Sequence, residues 1–187
     1  GAVIDGFAFS LNGGWQVDCP GFTNLAIRNC EFGMGANALL PIYIHGGVGN
    51  LTVENCSFFM GLITDSSTVG AAIWVHSNTE LTGLLAVLYC HFQKAVQHPL
   101  ELAGTATSRF RVNYNFFEQM SEAGSGAHAD PWYLNGGNYS GGNFDFNNVY
   151  QPAGGANLSW GILLIADAFW PTMSVADSTA DYNVLIN

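Results

Sequence analysis

The chain has 187 residues, 49% of them hydrophobic and 10% charged; that suits one domain with a large buried interior and argues against disorder. Its net charge is −10 with only four Lys and Arg, too few cations to neutralise phosphates, so the balance excludes nucleic-acid binding and disfavours anionic membranes. No run of about 18 apolar residues reads as a membrane span, and no basic start followed by an apolar run reads as a signal peptide.

Taken in chain order, one short phrase keeps returning. It reads Ile4-Asp5-Gly6-Phe7-Ala8-Phe9, then Ile27-Arg28-Asn29-Cys30-Glu31-Phe32, then Val53-Glu54-Asn55-Cys56-Ser57-Phe58. Val87-Leu88-Tyr89-Cys90-His91-Phe92 and Val112-Asn113-Tyr114-Asn115-Phe116-Phe117 follow, with a looser copy through Phe146-Asn147-Asn148-Val149-Tyr150 and a fragment from Val175. The copies begin at residues 4, 27, 53, 87, 112 and 146, so subtraction gives intervals of 23, 26, 34, 25 and 34. Such a period signals an array whose units stack on one another. Alternating apolar and polar residues, rich in β-branched and aromatic types, mark each phrase as a strand. A second strand is expected in every unit, at Trp15-Gln16-Val17, Ile42-Tyr43-Ile44, Ile73-Trp74-Val75, Leu100-Glu101-Leu102, Trp132-Tyr133-Leu134 and Leu163-Leu164-Ile165. Gly-rich turns close the units, and no amphipathic helix of ordinary length appears. The expected fold is an all-β solenoid of about seven parallel coils forming one domain over residues 1–187.

Cys30, Cys56 and Cys90 hold one position in successive copies, and Asn115 and Asn148 are expected to follow in the same slot. A repeated inward Asn can bond its neighbours above and below, and Cys fills the slot as a small hydrophobe. No C-x-x-C spacing exists, so burial is the expected role of these thiols rather than metal binding.

The phrase apolar-x-apolar-x-Asn-[Cys/Asn]-x-Phe, with its stacked turn residues, resembles the right-handed parallel β-helix of the pectate-lyase-like superfamily over nearly the whole chain. The stretch from His128 through Asp130 to Gly137 is similar to a His-x-Asp segment frequent in bacterial members. The resemblance implies an extracellular or cell-surface protein that handles polysaccharide, with the glycan lying over the second-strand sheet. The Asp-Asp and Gly-His-Gly signatures of the polygalacturonase branch are absent, as is an Arg-rich calcium cleft, so neither of those activities carries over.

The loops between first and second strands vary most in length: short from Gln93 to Pro99, long from Met60 to Ala72 and from Glu118 to Pro131. Two tall walls around a low floor make a cleft, and loops on a rigid scaffold concentrate function. Aligned second strands give outward columns of Gln16, Tyr43, Trp74, Glu101, Tyr133 and Leu164; of Asp18, His45, His76, Ala103 and Asn135; and of Leu40, Ala71, His98 and Asp130. Lys94, His98 and Glu101 therefore gather on the floor, with His76 and Trp74 on one side and His128, Asp130 and Tyr133 on the other. Glu101 and Asp130 are candidates for an acid/base pair in hydrolysis, which needs carboxyls about 5–9.5 Å apart. In a lyase, His98, His128 or Tyr133 would be the base and Lys94 the charge stabiliser. Trp74, Tyr133, Tyr43, His76 and Asn135 are the expected substrate-binding residues.

Plainer roles stand beside these. Stacked His45 and His76 are ordinary surface residues on many sheets, Trp74 and Tyr43 fit beneath a long loop, and Asp130-Pro131 fits a turn. No cofactor is required. A zinc ion at His98, His128 and Asp130, or calcium at Asp65 or at Asp177 and Asp181, has matching ligand types without a recognisable loop. Asn50, Asn138 and Asn157 head glycosylation triplets. The leading expectation is a polysaccharide lyase or glycoside hydrolase acting on a neutral or weakly acidic glycan. The alternative is a non-catalytic glycan-binding or structural module of adhesin, tailspike or filament type. Strand-like residues at both ends lack the polar caps a solenoid needs, so either flanking residues were removed from a longer protein or copies stack end to end.

Overall fold

The structure is a computed structural model; it describes residues 1–11, 14–34, 38–46, 48–60, 71–75, 82–94, 98–103, 107–119, 130–135, 137–151, 162–165 and 173–186. Every regular element among them is a β-strand, and the strands form three stacked parallel sheets. The first sheet stacks β1 (Ala2–Asp5), β4 (Phe22–Arg28), β7 (Val48–Glu54), β10 (Leu84–Leu88), β13 (Thr107–Asn113), β16 (Gly137–Ser140) and β19 (Met173–Ala176). The second stacks β2 (Ala8–Leu11), β5 (Glu31–Met34), β8 (Ser57–Phe59), β11 (His91–Gln93), β14 (Phe116–Glu118), β17 (Asn148–Tyr150) and β20 (Val184–Ile186). The third holds β3 (Gly14–Cys19), β6 (Ala38–Ile44), β9 (Ile73–Val75), β12 (Leu100–Ala103), β15 (Trp132–Asn135) and β18 (Ile162–Ile165). The chain visits the sheets in turn and returns one strand further along each, an arrangement consistent with a parallel β-helix.

The repeated phrase is two strands rather than one, so a unit has three strands where the sequence suggested two. The phrase bends at the residue before the Cys or Asn, which takes a left-handed backbone: φ is 51° at Asn29, 52° at Asn55, 55° at Tyr89, 60° at Tyr114, 58° at Phe146 and 57° at Tyr182. Gly6 opens the column at φ 74°. Left-handed backbone at non-glycine residues costs energy and persists where neighbours enforce it. Here the register enforces it, because Ile27 pairs with Ile4 and Val53, and Val87 pairs with Val53 and Val112.

Alternation directs one side of each strand inward. Leu25, Ile27, Leu51, Val53, Leu85, Val87 and Val112 supply the first sheet's share of the core, and Ile42, Ile44, Ile73, Val75, Leu100, Leu102 and Leu134 the third's. The second sheet contributes a stack of rings. Phe9, Phe32, Phe58, Phe92 and Phe117 follow one another at centroid separations of 4.9, 4.8, 4.8 and 5.0 Å, with planes within 7°. The spacing is the strand separation of a sheet, so each ring meets the same ring in the next strand.

The inward corner slot runs Cys30, Cys56, Cys90, Asn115, Asn147 and Asn183. All three cysteines are buried and free, and their thiols donate to carbonyls, with Cys30 Sγ 3.0 Å from Arg28 O and Cys90 Sγ 3.3 Å from Leu88 O. Asn115 Oδ1 accepts from Cys90 N at 2.9 Å, and Asn115 Nδ2 donates to Val87 O at 2.9 Å. Asn147 repeats the pattern: its Oδ1 accepts from Asn115 N and Nδ2, and its Nδ2 donates to Val112 O at 2.7 Å and to Asn183 Oδ1 at 3.1 Å. The expected member Asn148 is not in this slot. It pairs with Phe116 on the exposed side of the second sheet, because the copy is entered at Phe144, whose neighbour Asn143 bridges Arg111.

Asn147→Ala leaves buried N–H and carbonyl groups on Asn115 and Val112 without partners, which costs about 2–4 kcal/mol; urea denaturation checks it. Asn148→Ala is expected to stay within about 0.5 kcal/mol of the parent, as an exposed position does.

Candidate functional site

The outer face of the third sheet carries the predicted site. In β9 and β12 the residues flanking Trp74 and Glu101 are buried apolar ones, so alternation turns Trp74 and Glu101 outward. Parallel register sets Tyr43 beside Trp74, Trp74 beside Glu101, and Glu101 beside Tyr133. The column's ends differ from the sequence alignment. Asp18, not Gln16, pairs with Tyr43, and Leu163, not Leu164, pairs with Tyr133. At the first end Val17 and Cys19 occupy the inward-facing positions opposite Ile42 and Ile44, which throws Asp18 outward; Gln16 Nε2 instead donates to Gly33 O at 2.8 Å.

Contacts run the length of this face. His45 Nε2 lies 2.7 Å from Asp18 Oδ1, and the His45 ring stacks on Tyr43 at 4.8 Å. Tyr43 meets Trp74 at 5.0 Å, tilted by 33°. Trp74 lies beside Glu101 in the adjacent strand. Beyond Glu101, Tyr133 stacks on His98 at 4.5 Å, and His98 Nδ1 lies 3.6 Å from Asp130 Oδ2. His98 and Asp130 are thus adjacent, as the third predicted column has it, but both are buried, at 7% and 0% exposure, and do not form an open floor.

Glu101 is half-buried between two aromatic strands. Burial pushes its carboxyl up to about 7, and the neighbouring Trp74 side chain pulls partly back. Removing water from around a carboxylate penalises the charged form most, so the group holds a proton into the neutral range. Burial, and then the negative charge of Asp18, push the Tyr43 phenol up as well. Such a face offers a proton donor flanked by half-buried rings and by the polar edges of His45 and Asp18.

The remaining predicted residues are spread differently. Lys94, at φ 59°, sits over the Phe59 ring of the second sheet, its Nζ 6.0 Å from the centroid. Asn135 lies in β15 in register with Ala103. His128 and His76 lie outside the described residues, as do most of both long loops expected to wall the cleft, and Asp65. Among the described residues, no group of three or more His, Cys, Asp and Glu is placed to hold a metal ion. Asp181 N donates to Asp145 Oδ1 at 2.8 Å. Of the three glycosylation triplets, only Asn50 has a described side chain; its Nδ2 donates to Asn24 Oδ1 at 2.6 Å. No helix of the described residues is long and apolar enough to cross a membrane.

Sequence alignment missed the Asp18–Tyr43 pairing, although the buried–exposed alternation of Val17, Asp18 and Cys19 carries the signal. It also passed over the exposed corner position before each Cys or Asn. Comparison with protein-family models, curated proteins and solved structures finds no match to this chain.

Because Glu101 holds its proton more tightly folded than unfolded, it contributes stability that is present below its ordinary range near 4.5 and lost as pH rises through about 7. The loss amounts to on the order of 2–3 kcal/mol. Glu101→Gln keeps the shape of the side chain and removes the titration. Stability measured from pH 4.5 to 8 should fall in the parent and stay flatter in the variant.

Proposed function

We propose that the chain is a carbohydrate-active, right-handed parallel β-helix of about seven coils, of the pectate-lyase-like kind, that cleaves a neutral polysaccharide across the outer face of its third sheet. The reading rests on one observation: Glu101 is a carboxyl held protonated near neutrality, in line with Tyr43, Trp74 and Tyr133. Sugar rings present apolar C–H faces that stack on aromatic rings, while their hydroxyls seek polar groups. A protonated carboxyl beside such a stack is suited to give its proton to a glycosidic oxygen, the general-acid half of hydrolysis. Asp130, set by His98, is the proposed partner carboxyl. Asp18 stands three strand spacings from Glu101, about 14 Å, beyond the span that a hydrolytic pair uses. The lyase assignment of Lys94 draws less support, because its ammonium is turned toward Phe59. The low cation count favours a neutral glycan, and an extracellular setting goes with such a substrate.

One observation favours a second reading. Asp130 has 0% exposure and Asp18 lies beyond hydrolytic reach of Glu101, so a face whose protonated acid lacks a reachable partner carboxyl also suits a non-catalytic glycan-binding module.

Incubation with a panel of neutral and uronate-containing polysaccharides, followed by reducing-end assay and ultraviolet absorbance of unsaturated products, separates hydrolase, lyase and binder. New reducing ends without absorbance are expected. Glu101→Gln should lower kcat by about 10²–10⁴-fold, the usual worth of a general acid; unchanged turnover removes Glu101 from the mechanism, and no turnover on any substrate leaves the binding reading.

A further inference from the structure

Away from the third sheet, the left-handed corner between the first and second sheets carries a second set of rings. Tyr89, Tyr114, Phe146 and Tyr182 stack outward along it at 5.1, 5.0 and 4.9 Å, with planes within 7°. They are exposed by 56%, 47%, 41% and 76%. In a column of this kind each inner ring is covered on both faces by its neighbours, so solvent meets mostly edges. Among the described residues a free face exists where the column ends, as at Tyr182, and where it changes composition.

That change falls at Tyr89. The preceding corner residues are Asn55 and Asn29, whose amides chain together: Asn55 Nδ2 donates to Asn29 Oδ1 at 2.7 Å, and Asn29 Nδ2 to Asp5 Oδ1 at 2.8 Å. An Asn side chain is about half the length of a Tyr side chain. It covers the inner part of the Tyr89 face and leaves the outer part open. The step forms a notch of ≈ 460 Å³ lined by Arg28, Asn29, Glu54, Asn55 and Tyr89, a volume in the range of small-ligand sites. Among the described residues no donor meets Asn55 Oδ1. Arg28 Nε and Glu54 Oε2 lie 3.4 Å apart on the same wall, with side chains 46% and 37% exposed. The wall therefore offers donors and acceptors together with little net charge.

We propose that this notch is a saccharide subsite, taking one pyranose ring of a neutral glycan as the next member of the ring stack. The sugar's apolar face lies on the open half of Tyr89. Its hydroxyls reach the amides of Asn55 and Asn29 and the Arg28–Glu54 pair. Stacking at strand spacing is already what the column does ring to ring, so the ligand continues a geometry that the backbone imposes. The balanced wall and the net charge of −10 select against uronate-rich chains. The site stands on the corner geometry and not on the third-sheet assignment.

Calorimetric titration with neutral hexasaccharides of glucose, xylose, mannose and galactose tests it on the full chain. At least one should bind. Tyr89→Ala should weaken it about tenfold or more, the worth of one good ring contact, and Tyr89→Phe should stay within about threefold. Asn55→Arg lays a flat guanidinium over the open half of Tyr89 without adding a ring to the stack, fills the notch and should abolish binding while the thermal unfolding midpoint stays near that of the parent. Should that variant fail to fold, exposed Arg28→Ala carries the same test, with an expected loss of about threefold or more. No binding by any of the four sugars, or affinity unmoved by these substitutions, overturns the subsite. Binding lost in Trp74→Ala but kept in Asn55→Arg overturns it too, since the ligand then sits on the third sheet. Turnover that survives Tyr89→Ala but not Glu101→Gln leaves the two sites separate.

Discussion

In-register parallel stacking is the constraint from which the rest follows. Each strand meets the equivalent residue of the next strand at sheet spacing, so a choice at one position is presented to itself along the whole column. A buried corner residue must then satisfy its neighbours above and below. Asn does so completely in the Asn115–Asn147–Asn183 column, where side-chain oxygens accept backbone N–H groups and side-chain nitrogens donate to carbonyls. Cys90 joins the column at one end by donating its N–H to Asn115. The thiol side of the slot meets its needs with weaker contacts and gains apolar packing instead.

The same constraint fixes what lies outside. Residues that alternate outward become vertical neighbours, and any chemistry on this surface is a column. On the third sheet the column collects rings and two acids, Asp18 at its edge and Glu101 between aromatic neighbours, and the crowding around Glu101 is what removes water from it and raises its proton affinity. At the corner the column is polar for two strands and aromatic for four, and the change between them makes the notch at Tyr89. Both faces owe their shape to a break in an otherwise regular pattern: an acid among aromatics in one, a short side chain before a long one in the other.

The phrase was legible because it satisfies two requirements at once, inward apolar residues at alternate positions and a fixed slot at the bend. That was sufficient to place Tyr43, Trp74, Glu101 and Tyr133 in one column, since Ile42, Ile73, Leu100 and Trp132 mark the register. It failed at the column ends. Trp15-Gln16-Val17 looks more like Ile42-Tyr43-Ile44 than Val17-Asp18-Cys19 does, yet the latter is what pairs. A strand irregularity at Gly14 and Trp15 shifts the register there. Asn147 and Asn148 both fit the phrase, and only Asn147 faces inward.

Sequence alone determined the all-β repeat, the identity of the buried corner slot in its first members, the central run of the third-sheet column and the lack of cations for polyanion binding. These are properties of the repeated phrase and of composition, and the phrase recurs although the intervals between its copies vary from 23 to 34 residues. Tertiary structure decided that the phrase bends into two sheets, that His98 and Asp130 are buried, that Asp18 faces Tyr43, and that Tyr89 keeps an open face beside Asn55. Each depends on what covers a side chain, and cover is supplied by strands dozens of residues away whose register no local pattern records.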